Sequence, residues 1–321
     1  MKIKKKAATM GKPQVLTRSN RGGLIDEEHY GYIVRCSRDS VIESIGSSIG
    51  EPFYLRSCAK PLQASVIIDY ELDFTEQETA FCCGSNAGEE IHEKIARSLA
   101  DKIGIAEKDI KCGIHKPLSE TRRLQMILNG ENPNVFQNNC VGKHLTMLAL
   151  CKKLGFDIKN YDDINHPVQQ IIAENVNKFC RVTKEYPITK DGCGVPILSM
   201  PLENIVWGFL DMFCDEKYAS VKHAILNNPY IFGGENRTDT KIVEKTGMIS
   251  KVGAGGLCIV INPEVKEGFI VKISDCDMKS REIVTFGYIK CLGWGNFEPD
   301  RMIRTLHGEV VGELEMIFKQ K

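Results

Sequence analysis

The chain has 321 residues, with 42 Lys and Arg against 42 Asp and Glu, so its formal net charge is zero. That balance excludes the basic excess of a nucleic-acid binder, and the length exceeds what one hydrophobic core ordinarily holds, roughly 250–300 residues. One large domain with a sub-domain, or two intimate lobes, is therefore expected. No apolar stretch of signal-peptide type follows the basic start, Met1 to Lys6, and no apolar run approaches bilayer-spanning length. Thirteen cysteines at irregular spacing do not read as a disulfide framework. Cys82, Cys83, Cys151, Cys258 and Cys291 read as buried thiols. A cytoplasmic protein is the expectation.

In chain order, residues 1–12 read as a disordered tail. Tyr30 to Cys36 and Val41 to Ser47 are β-rich around a Ser-Arg-Asp-Ser turn and predict a hairpin. A helix should open at Ser57, ahead of the apolar run Leu62 to Tyr70. Thr75-Glu-Gln-Glu78 is a capping-box pattern whose helix should end near Gly84. Further helices are expected over Glu89 to Ile103, Ser119 to Leu128, Lys143 to Leu154 and Pro167 to Val182, with an apolar segment over Ile205 to Phe213. Met248 to Val252, Leu257 to Asn262 and Gly268 to Ile273 read as strands, and Lys279 to Leu292 as a last helix. The order predicts an α/β (α+β) fold: a mainly antiparallel sheet built from both chain ends and flanked by helices, plus a helical lobe. The sheet lobe would take about 13–56 and 229–321, the helical lobe about 57–228, within one domain over 13–321. An active site is expected in the cleft between them.

Three constellations carry chemistry. Ser57-Cys-Ala-Lys60 is the first. At i and i+3 on a helix, hydroxyl and amine face the same way, and a lysine beside a serine can take its proton and make it a nucleophile. The plain alternative is a surface Ser and Lys. Active-serine enzymes of the β-lactamase type pair such a motif with a late Lys-Thr-Gly on a strand. Lys245-Thr-Gly247 matches literally, whereas Lys251-Val-Gly253 matches loosely but ends an expected strand beside further glycines, which favours Lys251. The second is Gly84-Ser85-Asn-Ala-Gly-Glu89, where Ser85 is either an N-cap or an exposed hydroxyl able to share a proton with a lysine. The third is Asn138-Asn-Cys140-Val-Gly-Lys143-His144 with Asp191-Gly-Cys193. Ligand preference alone selects Cys140, His144 and Cys193 as a zinc site, against two buried thiols and a core histidine.

Together these blocks resemble the L-asparaginase II family, the Rhizobium-type asparaginases. The likeness runs from about Gln14 to Leu292 and includes Arg21 to Gly31, Arg56-Ser-Cys-Ala-Lys-Pro-Leu-Gln63, Cys112-Gly-Ile-His115, Asn138 to His144, His166-Pro-Val-Gln169, Asp191 to Pro196, Arg237-Thr-Asp-Thr240 and Lys251 to Gly256. The resemblance implies a fold similar to serine β-lactamases and glutaminases, a homodimer, and hydrolysis of L-asparagine to L-aspartate and ammonia. It implies two Ser–Lys pairs, Ser57–Lys60 and Ser85–Lys251, and a zinc site on Cys140, Lys143 and Cys193 with Asp191 close by. His144 stays a fallback ligand. Arg56, Glu89, Asn139, His144, Asp191 and Gly253 are the implied substrate-facing positions. The chain departs from the family pattern at Asn86, Val141 and Gly255, where the family carries His, Ser and Glu. The alternatives are the same fold acting on another amide (glutamine, a small peptide or a β-lactam) and a weakened, metal-dependent binding protein.

Overall fold

The computed structural model describes residues 11–317. The tail expected over 1–12 thus lies almost wholly outside the described residues. The centre is an eight-stranded antiparallel sheet. Its order is Met302–Arg304, Val310–Met316, Gln14–Arg21, Leu24–Ser37, Glu267–Ile273, Leu257–Asn262 and Ile249–Gly253, with Val41–Ile45 pairing the second half of Leu24–Ser37. Both chain ends therefore build the sheet, and Ile249–Gly253 forms one edge of it.

Strand alternation feeds two cores, because successive side chains point to opposite faces. Tyr32, Val34, Ile249, Ile259, Ile261 and Ile270 point to one face and join the large core of the helical region. Ile33, Val252, Cys258, Val260, Phe269 and Val271 point to the other and pack on the Met278–Cys291 helix through Val284, Phe286, Tyr288 and Ile289. The sheet is a middle layer between helices. Its inner face and the helical region share one continuous core, so the two expected lobes are joined rather than separated by a hinge.

Local chemistry explains the helix ends. Thr75 caps Glu76–Cys83 with a complete capping box, and Gly84 ends it. A Cβ on Gly84 would lie 2.2 Å from the Phe232 carbonyl oxygen, so only glycine fits there. Gly130 and Gly155 end Glu120–Asn129 and Val141–Leu154 in left-handed conformations. The hairpin, the three late strands and the last helix lie where expected. The helix Pro167–Phe179 stops short of Val182. The Gln14–Arg21 strand, the Thr238–Thr246 helix and the last two strands were not anticipated. Cys291, expected to be buried, is exposed, whereas Cys151 and Cys258 are buried.

Candidate active site

The Ser57 segment is a 3-10 turn, Arg56–Cys58, running into the five-residue helix Ala59–Gln63 and then Val66–Asp69. The expected single helix is thus broken into short pieces, but Ser57 does stand at its N-terminal end. Pro61 fits in the first turn, where backbone N–H groups have no helical partner to lose. Arg56 is left-handed, with φ +49°, a conformation that costs a non-glycine residue of order 1–3 kcal/mol and persists only when its surroundings enforce it. Here the Arg56 guanidinium donates from Nε to Asp191 Oδ1 at 2.9 Å. The next residue, Ser57, is 9% exposed and Lys60 only 1%.

Lys60 Nζ donates to Ser85 Oγ at 2.8 Å and to the Asn139 carbonyl at 2.6 Å. Among the described residues, nothing hydrogen-bonds the Ser57 hydroxyl. Burial drives the Lys60 amine down to about 8, with the Lys251 and Lys143 cations acting in the same direction against Cys140 and Cys193. Such an amine is poised to exchange a proton near neutral pH.

Lys251 comes from the edge strand. Alternation turns Ile249, Lys251 and Gly253 toward the helical region and Val252 away from it. The strand edge meets the Ser57 turn directly: the Cys58 thiol donates to the Lys251 carbonyl at 3.4 Å, and a Cβ on Gly253 would lie 3.0 Å from Cys58 Sγ. The Ser85–Lys251 contact expected from the sequence is not formed. Lys251 Nζ donates instead to Asp239 Oδ2 at 3.1 Å and to the Val252 carbonyl at 3.0 Å, with the Phe232 ring 5.4 Å away. The reason is electrostatic: a buried ammonium requires a counter-charge, and Asp239 supplies one that a serine hydroxyl cannot. Asp239 is the residue that sequence reasoning missed. It stood inside the quoted Arg237-Thr-Asp239-Thr block, but nothing in the spacing tied it to Lys251. Lys245, the literal Lys-Thr-Gly match, lies on the Thr238–Thr246 helix over the Phe297 ring, away from these groups.

Beside Lys60 lies a cluster of sulfur and nitrogen. Cys140 caps the Val141–Leu154 helix that carries Lys143 and His144, and Cys193 sits in the turn after Asp191. The Cys140 thiol donates to Asn139 Oδ1 at 3.4 Å, and the neighbouring Cys193, with Lys60 and Lys143, holds it far below its usual range. Cys140 and burial together raise Cys193 above its usual range. Burial disfavours the Lys143 ammonium, but Cys140, Cys193 and Asp191 outweigh it and raise its pKa. Lys143 Nζ lies 3.7 Å from Asp191 Oδ2. Two thiols and an amine in one buried cluster suit zinc, which takes thiolate and nitrogen donors. The residues fit the ion once Lys143 gives up its proton.

The ligand set Cys140–His144–Cys193 does not assemble. Among the described residues, no three His, Cys, Asp or Glu side chains are placed to hold a metal. His144 is wholly buried, with Nδ1 bonded to the Tyr161 hydroxyl at 2.7 Å and Nε2 unpartnered. Burial keeps it neutral far below its usual range. Glu89 caps the Glu90–Lys102 helix, and its Oε1 accepts the Glu235 N–H at 3.4 Å. Arg56, Ser57, Lys60, Ser85, Asn139 and Asp191 therefore connect through direct contacts or chain adjacency. Lys251 and Gly253 border them across Cys58.

No curated protein matches the chain. Among solved structures it is similar to a β-lactamase from Mycobacterium bovis, at TM-score 0.42 and 11% identity over 81% of this chain and 94% of that one. It is also similar to a protein from Bacteroides dorei assigned to the β-lactamases, at TM-score 0.42 and 13% identity over 76% and 85%. A family model described as L-asparaginase II matches residues 17–316, nearly the whole length, and the chain belongs to the L-asparaginase II family.

Proposed function

We propose that this amidohydrolase converts L-asparagine to L-aspartate and ammonia through an acyl-enzyme on Ser57. The observation that carries the reading is the buried Lys60 amine, one helical turn from Ser57, pushed down to about 8 and bonded to Ser85 at 2.8 Å. Neutral Lys60 takes the Ser57 proton as the oxygen attacks the side-chain amide carbon. The Cys58 and Ala59 N–H groups are spent on backbone carbonyls of the turn, so the Ser57 N–H is the turn's donor to the oxyanion. The C–N bond then breaks, and the proton passes from Lys60 through the Ser85 hydroxyl to the departing nitrogen, which leaves as ammonia. Water, deprotonated by Lys60, cleaves the ester, restoring Ser57 and releasing aspartate. In this scheme Lys251 is a fixed positive charge held by Asp239, which disfavours protonation of Lys60. Arg56 and Asp191 offer partners to the α-carboxylate and α-ammonium of the substrate.

Cys140, Lys143 and Cys193 would hold the zinc ion, which when bound supplies a Lewis acid beside Asp191. Lys143 gives up its proton in binding it, and Asp191 then retains Arg56 as its cation partner.

One observation favours a second assignment of the nucleophile: Lys60 bonds Ser85, not Ser57. The two are told apart by rapid-quench mass spectrometry of the trapped acyl-enzyme. An adduct on the peptide holding Ser57, lost in Ser57→Ala, is the expected result. An adduct on Ser85 reverses the roles. The substrate is tested by ammonia release from asparagine and glutamine and by opening of a chromogenic cephalosporin. Asn86, wholly buried beside Ser85 with its side-chain nitrogen unpartnered, is the feature that would favour a different amide. Faster turnover of either other substrate overturns the asparagine assignment.

A further inference from the structure

A cavity of about 590 Å³ opens on the face of the edge strand turned away from Ser57. Val252 lines it, and alternation points Val252 opposite to Lys251. None of Ser57, Lys60, Ser85 or Asp191 lines it. Its walls carry five cations: Arg237, Lys241, Lys245, Lys279 and Arg281. Three acids, Glu282, Glu298 and Asp300, also line it, and each is already engaged. Glu282 accepts from Thr238 and Lys241, Glu298 pairs with Lys290, and Asp300 accepts the Met302 N–H.

Arg237 and Arg281 are different. The Nε of each is buried with no hydrogen-bond partner, and neither guanidinium makes an ion pair among the described residues. Both act on Asp239 from a distance, but Asp239 Oδ1 is itself unpartnered, so the carboxylate is not their ligand. Both side chains are partly exposed, but their Nε atoms are buried donors with no acceptor, and such donors favour a ligand that can accept from them. The Thr238–Thr246 helix also starts at this cavity with no side chain capping its first turn. Asp239 already places one carboxylate in that first turn, so the helix end adds only a modest pull on an anion and the cations carry the site. Two guanidinium forks match the oxygens of a phosphate group, where single lysines would supply only point charges.

We infer that this cavity binds a phosphate dianion, free or as a phosphomonoester, between Arg237 and Arg281, on the opposite face of the strand from the Ser57 and Lys60 groups. The stacked Phe286 and Phe297 rings offer an apolar wall for the body of an ester. The site stands independently of the reaction proposed above. Calorimetric titration of the full-length protein with inorganic phosphate and with a nucleoside monophosphate tests it, with ionic strength held constant by sodium chloride. One saturable site is expected, weakened at least tenfold in Arg281→Gln and in Arg237→Gln. Lys245→Gln changes an exposed side chain, so it should keep the melting temperature while weakening binding severalfold. Tighter binding of the monophosphate assigns an ester, and equal or weaker binding assigns free phosphate. Absence of saturable binding for both probes overturns the inference, as does an affinity unchanged in Arg281→Gln and Lys245→Gln.

Discussion

Lys251 Nζ lies 3.1 Å from Asp239 Oδ2, and both side chains are wholly buried. Asp239 also accepts the Val252 N–H at 3.5 Å, so this one carboxylate ties the Thr238–Thr246 helix to the edge strand. The pair also decides which lysine serves the serines. With Lys251 committed to Asp239, Lys60 is the amine left in contact with Ser85. A buried pair contributes little net stability compared with an apolar pair, but removing one partner strands a charge.

Asp239→Asn should therefore destabilise the fold by about 3–5 kcal/mol, read as a lower urea midpoint. The double variant Asp239→Leu with Lys251→Met should recover most of that loss, because neither charge of the pair is then left without the other. An unchanged midpoint in Asp239→Asn would show that the pair does not hold the edge strand.

The depressed Lys60 amine sets the pH behaviour. Its folded value, about 8, lies below its ordinary 10.5. Activity against asparagine should rise with pH through an acidic limb centred near 8, as the neutral base becomes populated. Stability follows by linkage. Between about 8 and 10.5 the unfolded chain holds the Lys60 proton and the folded chain does not, so this group's contribution to stability increases as pH rises through that window. Lys60→Met should remove both the limb and that slope. A limb unmoved in the variant would assign it to another group.

Ser85→Ala separates relay from nucleophile. It removes the hydroxyl on Lys60 without touching Ser57, and loss of one proton-transfer partner costs on the order of 10²–10⁴-fold in kcat. Ser57→Ala should cost more, on the order of 10⁶-fold. A Ser85→Ala enzyme that retains full kcat would exclude Ser85 from the proton path.

Much of this site was legible in the sequence because it rests on local rules. Thr75, Gly84, Gly130 and Gly155 mark helix ends through caps and left-handed turns whose chemistry is confined to a few residues. The short, near-continuous apolar runs in Leu257–Asn262 and Glu267–Ile273, bounded by turn residues, expose strands buried on both faces in the same way. Lys251 was preferred over Lys245 on its strand context, and the fold does place Lys251 against Cys58. What was not legible is which polar group each lysine chooses. The separation between Asp239 and Lys251 is only 12 positions, yet their meeting depends on a helix and a strand docking edge to edge. Likewise Cys140 and Cys193 could be paired from ligand preference, but whether Lys143 or His144 faces them depends on helix rotation. Adjacent residues differ by about 100° around a helix, and that rotation turns His144 into the core against Tyr161.

The same rotation makes the metal expectation specific. If Cys140, Lys143 and Cys193 hold zinc, the ion must compete with a proton that Cys140, Cys193 and Asp191 hold firmly on Lys143. Zinc affinity should therefore rise steeply with pH and its binding should release protons, seen as a dependence of the calorimetric heat on the ionisation enthalpy of the buffer. Cys193→Ser and Lys143→Met should each lower zinc content, measured by elemental analysis of the purified protein, whereas His144→Gln should leave it unchanged. Chelation should lower the melting temperature of the parent protein and leave that of Cys193→Ser almost unmoved. Zinc content preserved in Lys143→Met but lost in His144→Gln would reverse the choice of ligand and require the Val141–Leu154 helix to turn by one residue.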